Sequence, residues 1–135
     1  MLIKNGWLYP PTKIYIAKSP IHGLGVFANK DIPKDEIIEI TPLIDIEVTP
    51  DNDSKILYHY RFSYVVNGKI TKLVIPLGYG GVYNHSNIPN ASWRLNENLD
   101  MFEFYSIKDI KEHEEICTSY GNEEYWNSRP YIKIK

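Results

Sequence analysis

VYNHSNIPNASW, residues 82–93, crowds asparagines, a histidine, serines and a proline between apolar neighbours. A simple turn needs only Asn-Pro or Pro-Asn. The surplus of donors and acceptors beside Val82, Tyr83 and Trp93 implies a loop that is bonded in place and has a task. What that task is depends on what else the chain brings to it.

Composition bounds the answer. The chain has 135 residues, which favours one domain with a core that needs no staples. Apolar residues make up 43% and charged residues 24%, as in globular proteins. A formal charge of −2 gives no basic field for gripping nucleic acid, so no direct nucleic-acid contact is expected. The one cysteine, Cys117, excludes an internal disulfide and a multi-cysteine zinc site. MLIKNGWLYPPTK has no long apolar core, and no stretch approaches the roughly 20 apolar residues of a membrane span. An intracellular protein with no membrane partner is expected, in cytoplasm or nucleus. The Asn-x-Ser matches at Asn52, Asn84 and Asn90 are then chance matches.

The order of elements is that of a mostly β protein. TKIYIA (12–17) alternates and is rich in Ile and Tyr, as strands are. HGLGVFA (22–28) follows Ser-Pro and reads as a tight turn entering a second strand. EIIEI and PLIDIEV read as two further short strands, after the turn DIPKDE. YRFSYVV and KITKLVI flank Asn67-Gly68, the strongest short hairpin signal. PLGYGGVYN is too broken for a long helix. SWRL and MFEFYSI read as strands joined by NENLD, and IKEHEEICTSY as a turn and a last strand. The tail NEEYWNSRPYIKIK starts polar and ends in a basic alternation. No internal repeat is evident, and helix signal is weak throughout.

Most chemistry-bearing patterns fail their tests. His22, His59, His85 and His113 are scattered, and His113 with Cys117 is too small a ligand set for zinc. No metal site is expected. Asp51 and Asp53 lack the Gly and Glu of a calcium loop. There is no phosphate-binding loop and no nucleophile elbow. Gly23-Leu24-Gly25 reads either as a β bend or as a close backbone approach to a ligand, since glycine lacks a Cβ. The 11 tyrosines, against 4 phenylalanines, mostly suit sheet faces and half-buried core. Tyr120 and Tyr125 instead follow the last strand, with Trp126 adjacent, and suit the wall of a pocket for a cationic guest.

Three stretches fall into one pattern. HGLGVFA (22–28), NHSNIPN (84–90) and EEICTSYG (114–121) occur in that order. Together they closely resemble the signature motifs of the SET-domain protein lysine methyltransferases. The first is similar to the family's G-x-G turn. The second matches N-H-S-x-x-P-N at every fixed position. The third resembles the segment that carries the catalytic tyrosine, with Ser119 where the family often has an acid. The resemblance runs from about Ile14 to Trp126 and is greatest to the minimal SET proteins of viral type. The cysteine-rich segment after many SET domains is absent.

The resemblance implies one SET domain over residues 1–135, with a core at about 14–126 and a closing segment at 122–135. It implies a SET fold, several small sheets of short strands with a C-terminal pseudoknot that joins the second and third motifs. It implies S-adenosyl-L-methionine as cofactor and S-adenosyl-L-homocysteine as product. His22, Gly23, Leu24, Gly25, Asn84 and His85 would hold the cofactor, with Tyr120 and Trp126 beside it. Asn84 and the His85 backbone would present donors and acceptors to it, and Pro89 and Asn90 would stiffen the loop. Tyr120 would align methyl and amine as the catalytic residue. Tyr60, Tyr79, Tyr125 and Trp126 would line the lysine channel, and an added tyrosine hydroxyl there favours fewer methyls. A basic protein, a histone tail first of all, is the implied substrate. Oligomeric state stays open, a homodimer included. Two other readings remain: a SET fold that binds without transferring a methyl, and a β-rich adaptor. The tail likewise has two readings, since Tyr125 and Trp126 could close the site or cover a sheet edge.

Overall fold

The computed structural model describes residues 3–4, 7–45, 62–66, 69–96, 98–99 and 101–120. These hold eleven strands and, among the described residues, no helix. A two-stranded ribbon pairs β1 (Ile3–Lys4) with β2 (Trp7–Leu8), an element the sequence reading does not anticipate. The strands β3 (Ile14–Lys18), β4 (Leu24–Ala28), β5 (Ile37–Asp45), β6 (Phe62–Val66) and β7 (Lys69–Pro76) follow. Then come β8 (Asn84–His85), β9 (Ala91–Asn96), β10 (Met101–Ser106) and β11 (Glu115–Thr118). One sheet has the order β6-β7-β5-β10-β9, and the other β3-β4-β11-β8. This is the expected architecture of several small sheets.

The expected hairpin across residues 67–68 is present as β6 and β7, with Val66 opposite Lys69. EIIEI and the described part of PLIDIEV form one strand rather than two. Pro42 does not break β5, because the strand changes partner there. Residues up to Pro42 pair with β10, and Leu43 onward pair with β7. A proline without an N–H is tolerated at such a changeover. On the other flank a bulge opposite Phe104 and Tyr105 interrupts the alternation of β5. Ile38 and Glu39, adjacent in sequence, are both buried.

The two sheets are joined by a reciprocal pair of turns. Ile32 and Ile110 exchange both backbone bonds, at 2.7 and 2.8 Å. Asp109 Oδ1 accepts from Lys34 N and Asp31 Oδ1 accepts from Glu112 N, each at 2.9 Å. Asp35 N donates to Ser106 O, and His113 N donates to Ala28 O. Asp35 and His113, at equivalent places, both have left-handed backbones, with φ of 66° and 69°. KDIPKDE and KDIKEHE are therefore two copies of one turn that cap each other. This corrects the reading of the chain as free of internal repeats. The copies share Lys-Asp-Ile at their start and Glu at their end, but they are short and far apart in the chain, and only the bonding shows that they pair.

The core lies under these turns. Val26, Ala28, Ile32, Ile38, Phe102, Phe104, Ile110 and Ile116 are buried in it. Burial of such side chains stabilises by roughly 1.5–3 kcal/mol each. Trp93 stacks on Phe102 and Tyr83 on Phe104, with centroids 4.7 and 4.6 Å apart. Two polar groups are buried on β5 beside them. Glu39 accepts from Tyr79 N and the Tyr83 hydroxyl, while Thr41 Oγ1 finds no hydrogen-bond partner among the described residues.

These two groups give two tests. Thr41→Val removes an unbonded buried hydroxyl and keeps the side chain's shape. It should leave the denaturant midpoint unchanged or raise stability by about 1 kcal/mol. Burial lifts the Glu39 carboxyl above its ordinary value, more than the bonds from Tyr79 and Tyr83 lower it. The folded chain thus holds this proton more tightly than the unfolded chain. The Glu39 contribution is most favourable below the usual carboxylate range and declines as pH rises through the window above it. Thermal melts of Glu39→Gln and parent should therefore diverge in the variant's favour as pH rises above the usual carboxylate range of about 4. Parallel curves would mean that Glu39 titrates normally.

Candidate functional site

The three motifs meet at one carboxylate. Glu115, on β11, accepts from Ser19 Oγ on both oxygens, at 2.7 and 2.9 Å. Its Oε2 also accepts from Asn84 Nδ2 at 2.9 Å. The same Asn84 nitrogen lies 3.1 Å from the carbonyls of His22 and Leu24, which bracket Gly23. Ser19 closes the turn from the other end, accepting at Oγ from Ile21 N and donating its N–H to Gly23 O. Hydrogen bonds to an ionised acceptor are roughly twice as strong as neutral ones.

The two glycines of the turn serve different needs. Gly23 has φ of 45°, and an added Cβ there would meet nothing within 4 Å. It supplies the left-handed backbone and leaves open space in front of it. A Cβ on Gly25 would lie 2.5 Å from Glu115 Oε2 and 3.0 Å from Ser19 Cβ. Gly25 thus makes room for a carboxylate of the chain itself.

The NHSNIPN loop is tied to β11. β8 runs parallel to it, with Asn84 opposite Cys117 and His85 opposite Thr118. Asn90 Nδ2 donates to Glu115 O at 2.8 Å, and Asn90 Oδ1 accepts from Cys117 N at 2.9 Å. Ser86 N donates to Thr118 O at 3.0 Å. Asn90 stiffens the loop through bonds to a strand 25 residues on, not through local ones. The local brace is Ser86, whose Oγ accepts from Ile88 N. Cys117 is buried beneath this lacing. Burial and the nearby Glu115 charge push its thiol up to about 11, so it is no nucleophile at neutral pH.

At the end of β11 the loop holds Tyr120. His85 Nδ1 accepts from Tyr120 N at 3.0 Å, and its Nε2 lies 2.9 Å from Asn87 Oδ1. With Nδ1 accepting, Nε2 is the ring nitrogen that donates, to Asn87. The Tyr120 ring sits 5.5 Å from the imidazole, and its hydroxyl donates to Tyr83 O at 2.5 Å. The side chain keeps 36% exposure. With its proton committed to a carbonyl, the hydroxyl can act towards other groups only as an acceptor. Separately, a groove of about 830 Å³ beside Tyr9, Lys13, Ile40 and Leu99 touches none of these residues.

The SET domain family description matches residues 23–121. The chain belongs to the SET-domain family. A histone-lysine N-methyltransferase of Schizosaccharomyces pombe, named as specific for H3 lysine-37, is 31% identical over 123 residues. That match covers 82% of this chain and 79% of the yeast protein. A crystal structure of a candidate histone methyltransferase from Plasmodium falciparum superposes with a TM-score of 0.66 at 38% identity. It covers 82% of this chain and 98% of the other. The chain is a protein-lysine methyltransferase.

Within this SET domain, His22, Gly23, Leu24, Gly25, Asn84, His85 and Tyr120 are brought together. The Asn84 nitrogen is already committed to the chain, so only its Oδ1 remains for a ligand, as an acceptor. Tyr79 lies one turn before the NHSNIPN loop, half-buried, with its N–H on Glu39. Tyr60, Tyr125 and Trp126 lie outside the described residues, as does the segment after Tyr120 that would complete the pseudoknot. Sequence reading gives no role to Ser19, Glu39 or Glu115. Glu115 stands inside a quoted motif, but its pairing with Gly25 spans most of the chain and leaves no local signal.

The two glycines separate by mutation. Gly23→Ala should cost about 1–2 kcal/mol of backbone strain and leave Glu115 in place. Gly25→Ala must displace the Glu115 carboxylate and break its bonds to Ser19 and Asn84. It should cost more, about 2–4 kcal/mol, read as a lower denaturant midpoint. An equal loss in the two variants would show that the carboxylate swings aside freely.

Proposed function

We propose that this SET domain transfers methyl groups from S-adenosylmethionine to lysine Nζ atoms of a histone tail or another basic protein. The observation that carries the reading is the Tyr120 hydroxyl, bonded to Tyr83 O beside the turn that Asn84 clasps. The residues suit the cofactor's amino-acid end. Asn84 Oδ1 is an acceptor for its ammonium, and the open space before Gly23 admits a ligand close to the backbone. His85 would offer main-chain groups to the adenine, with Tyr120 and Trp126 beside the sulfonium. When bound, the cofactor supplies a methyl group made electrophilic by the sulfonium charge.

The chain's own residues then act on the amine. A lysine Nζ has an ordinary pKa of about 10.4 and attacks only when neutral. Tyr79, Tyr60, Tyr125 and Trp126 would wall a narrow channel whose desolvation favours that neutral form. Tyr120 is the catalytic residue, since its lone pairs would orient the amine for in-line attack. Alignment of this kind can lower a barrier by ~7–11 kcal/mol. The tail from residue 122 would close the channel against water. The named specificity of the yeast relative and the slight acidity of this chain favour a basic histone tail. A nuclear or cytoplasmic place of action follows from such a substrate.

Calorimetry with S-adenosylhomocysteine, and methyl transfer to mixed core histones, test this together. The parent should bind and transfer. Asn84→Ala should weaken binding by about 1–3 kcal/mol. Tyr120→Phe should bind as the parent does and lose most turnover. A parent that binds no cofactor at millimolar concentration would sink the proposal, and full turnover by Tyr120→Phe would remove its catalytic residue.

A further inference from the structure

We propose that Glu39 is a positioning residue for methyl transfer, setting from behind the two backbone segments that face the reacting groups. The proposal rests on the reading of Tyr120 as the catalytic residue. Glu39 is 1% exposed, and both of its oxygens are used on the site side. Oε2 accepts from Tyr79 N at 2.9 Å, and Oε1 accepts from the Tyr83 hydroxyl at 2.8 Å. Among the described residues it has no cation partner. A buried carboxylate without a cation is costly, and an aliphatic residue would suit a strand such as EIIEI better.

The surrounding backbone is shaped to keep this carboxylate. Gly78 has φ of 67°, and a Cβ there would lie 2.6 Å from Glu39 Oε2. The turn that carries Tyr79 is therefore folded round the acid. Phe104 stands directly opposite Glu39 in the β5–β10 register, and Tyr83 stacks on Phe104 with planes 19° apart. The Tyr83 ring is thus clamped on its face by Phe104 and at its hydroxyl by Glu39. Burial and the adjacent Glu39 charge push the Tyr83 phenol well up, so it stays a donor. A ring fixed at both places leaves its own main chain one position. That main chain bears the carbonyl that takes the Tyr120 proton.

This assembly shares no hydrogen bond with the Ser19–Glu115–Asn84 clasp. The two should be separable: one sets the cofactor turn, the other sets Tyr79 and the direction of the Tyr120 hydroxyl. A small displacement is enough to matter, since about 1 Å of misplacement can cost 10²-fold in rate.

The test compares the full chain with Glu39→Gln, Glu39→Leu and Tyr83→Phe. The measurements are kcat on saturating core histones, Kd for S-adenosylhomocysteine and the melting temperature. Glu39→Leu, which removes both acceptors, should lose about 10²-fold in kcat. Glu39→Gln, which keeps one carbonyl oxygen, should recover most of that loss, and Tyr83→Phe should fall between them. The Kd should stay within about twofold of the parent throughout, a change of under 0.5 kcal/mol. If Glu39→Leu fails to fold, the other two decide. Folded Glu39→Gln and Tyr83→Phe with parental kcat would overturn the proposal, as would a Kd that rises in step with the loss of kcat. A parent that binds S-adenosylhomocysteine but methylates nothing overturns the proposal together with the reading beneath it.

Discussion

The meeting of the three motifs depends on where the Glu115 carboxylate goes. It lies across the turn of residues 19–25 and holds Ser19 and Asn84, which come from two other parts of the chain. A part-buried carboxylate is stable only if hydrogen-bond donors replace its water. Ser19 and Asn84 are those donors, and Gly25 is the space in which they meet it. Asn84 then has little freedom. Its nitrogen faces the carbonyls of His22 and Leu24, and its oxygen is turned the other way. Which atom of Asn84 is left available is thus selected by an electrostatic need inside the protein.

The reciprocal turns at Asp31–Glu36 and Asp109–Glu114 put Glu115 there. Each turn caps the other, so β4 and β11 leave this junction side by side, as do β5 and β10. Glu115 begins β11, one residue beyond its turn. Ile37 holds the matching place beyond the other turn, and Glu39 lies two residues further along β5. The two acids that organise the site therefore sit close behind the same junction, on the strands that diverge from it.

The three motifs were legible because their residues are adjacent within each stretch. The β class and the 62–76 hairpin were legible because alternation and Asn-Gly are local signals. What escaped was long-range. Ser19 and Glu115 are 96 residues apart, and Glu39 and Tyr83 are 44 apart. In the sequence Ser19 is only punctuation before a proline, and Glu39 is one more acid in an alternating strand. The Asn84 donors were assigned to a cofactor because nothing local shows that the chain itself takes them. β5 was divided at Pro42 because proline is a local breaker, and only the exchange of sheet partners makes it harmless there.

Lacing of this kind has a kinetic cost. Tyr83 meets Tyr120 across 37 residues, Asn84 meets His22 across 62, and Tyr15 meets His113 across 98. Closing such loops consumes chain entropy before any contact repays it, and chains dominated by distant contacts fold slowly. β11 is the last strand described, yet it lies between β4 and β8, which precede it in the chain. A chain emerging from the ribosome would hold the gap for β11 open until residue 118 had been made. During that interval the facing edges of β4 and β8 are unpaired, and an unpaired strand edge is where another chain can add itself. Yield in the cell would then be governed by the time to insert this one strand, more than by the stability of the finished molecule.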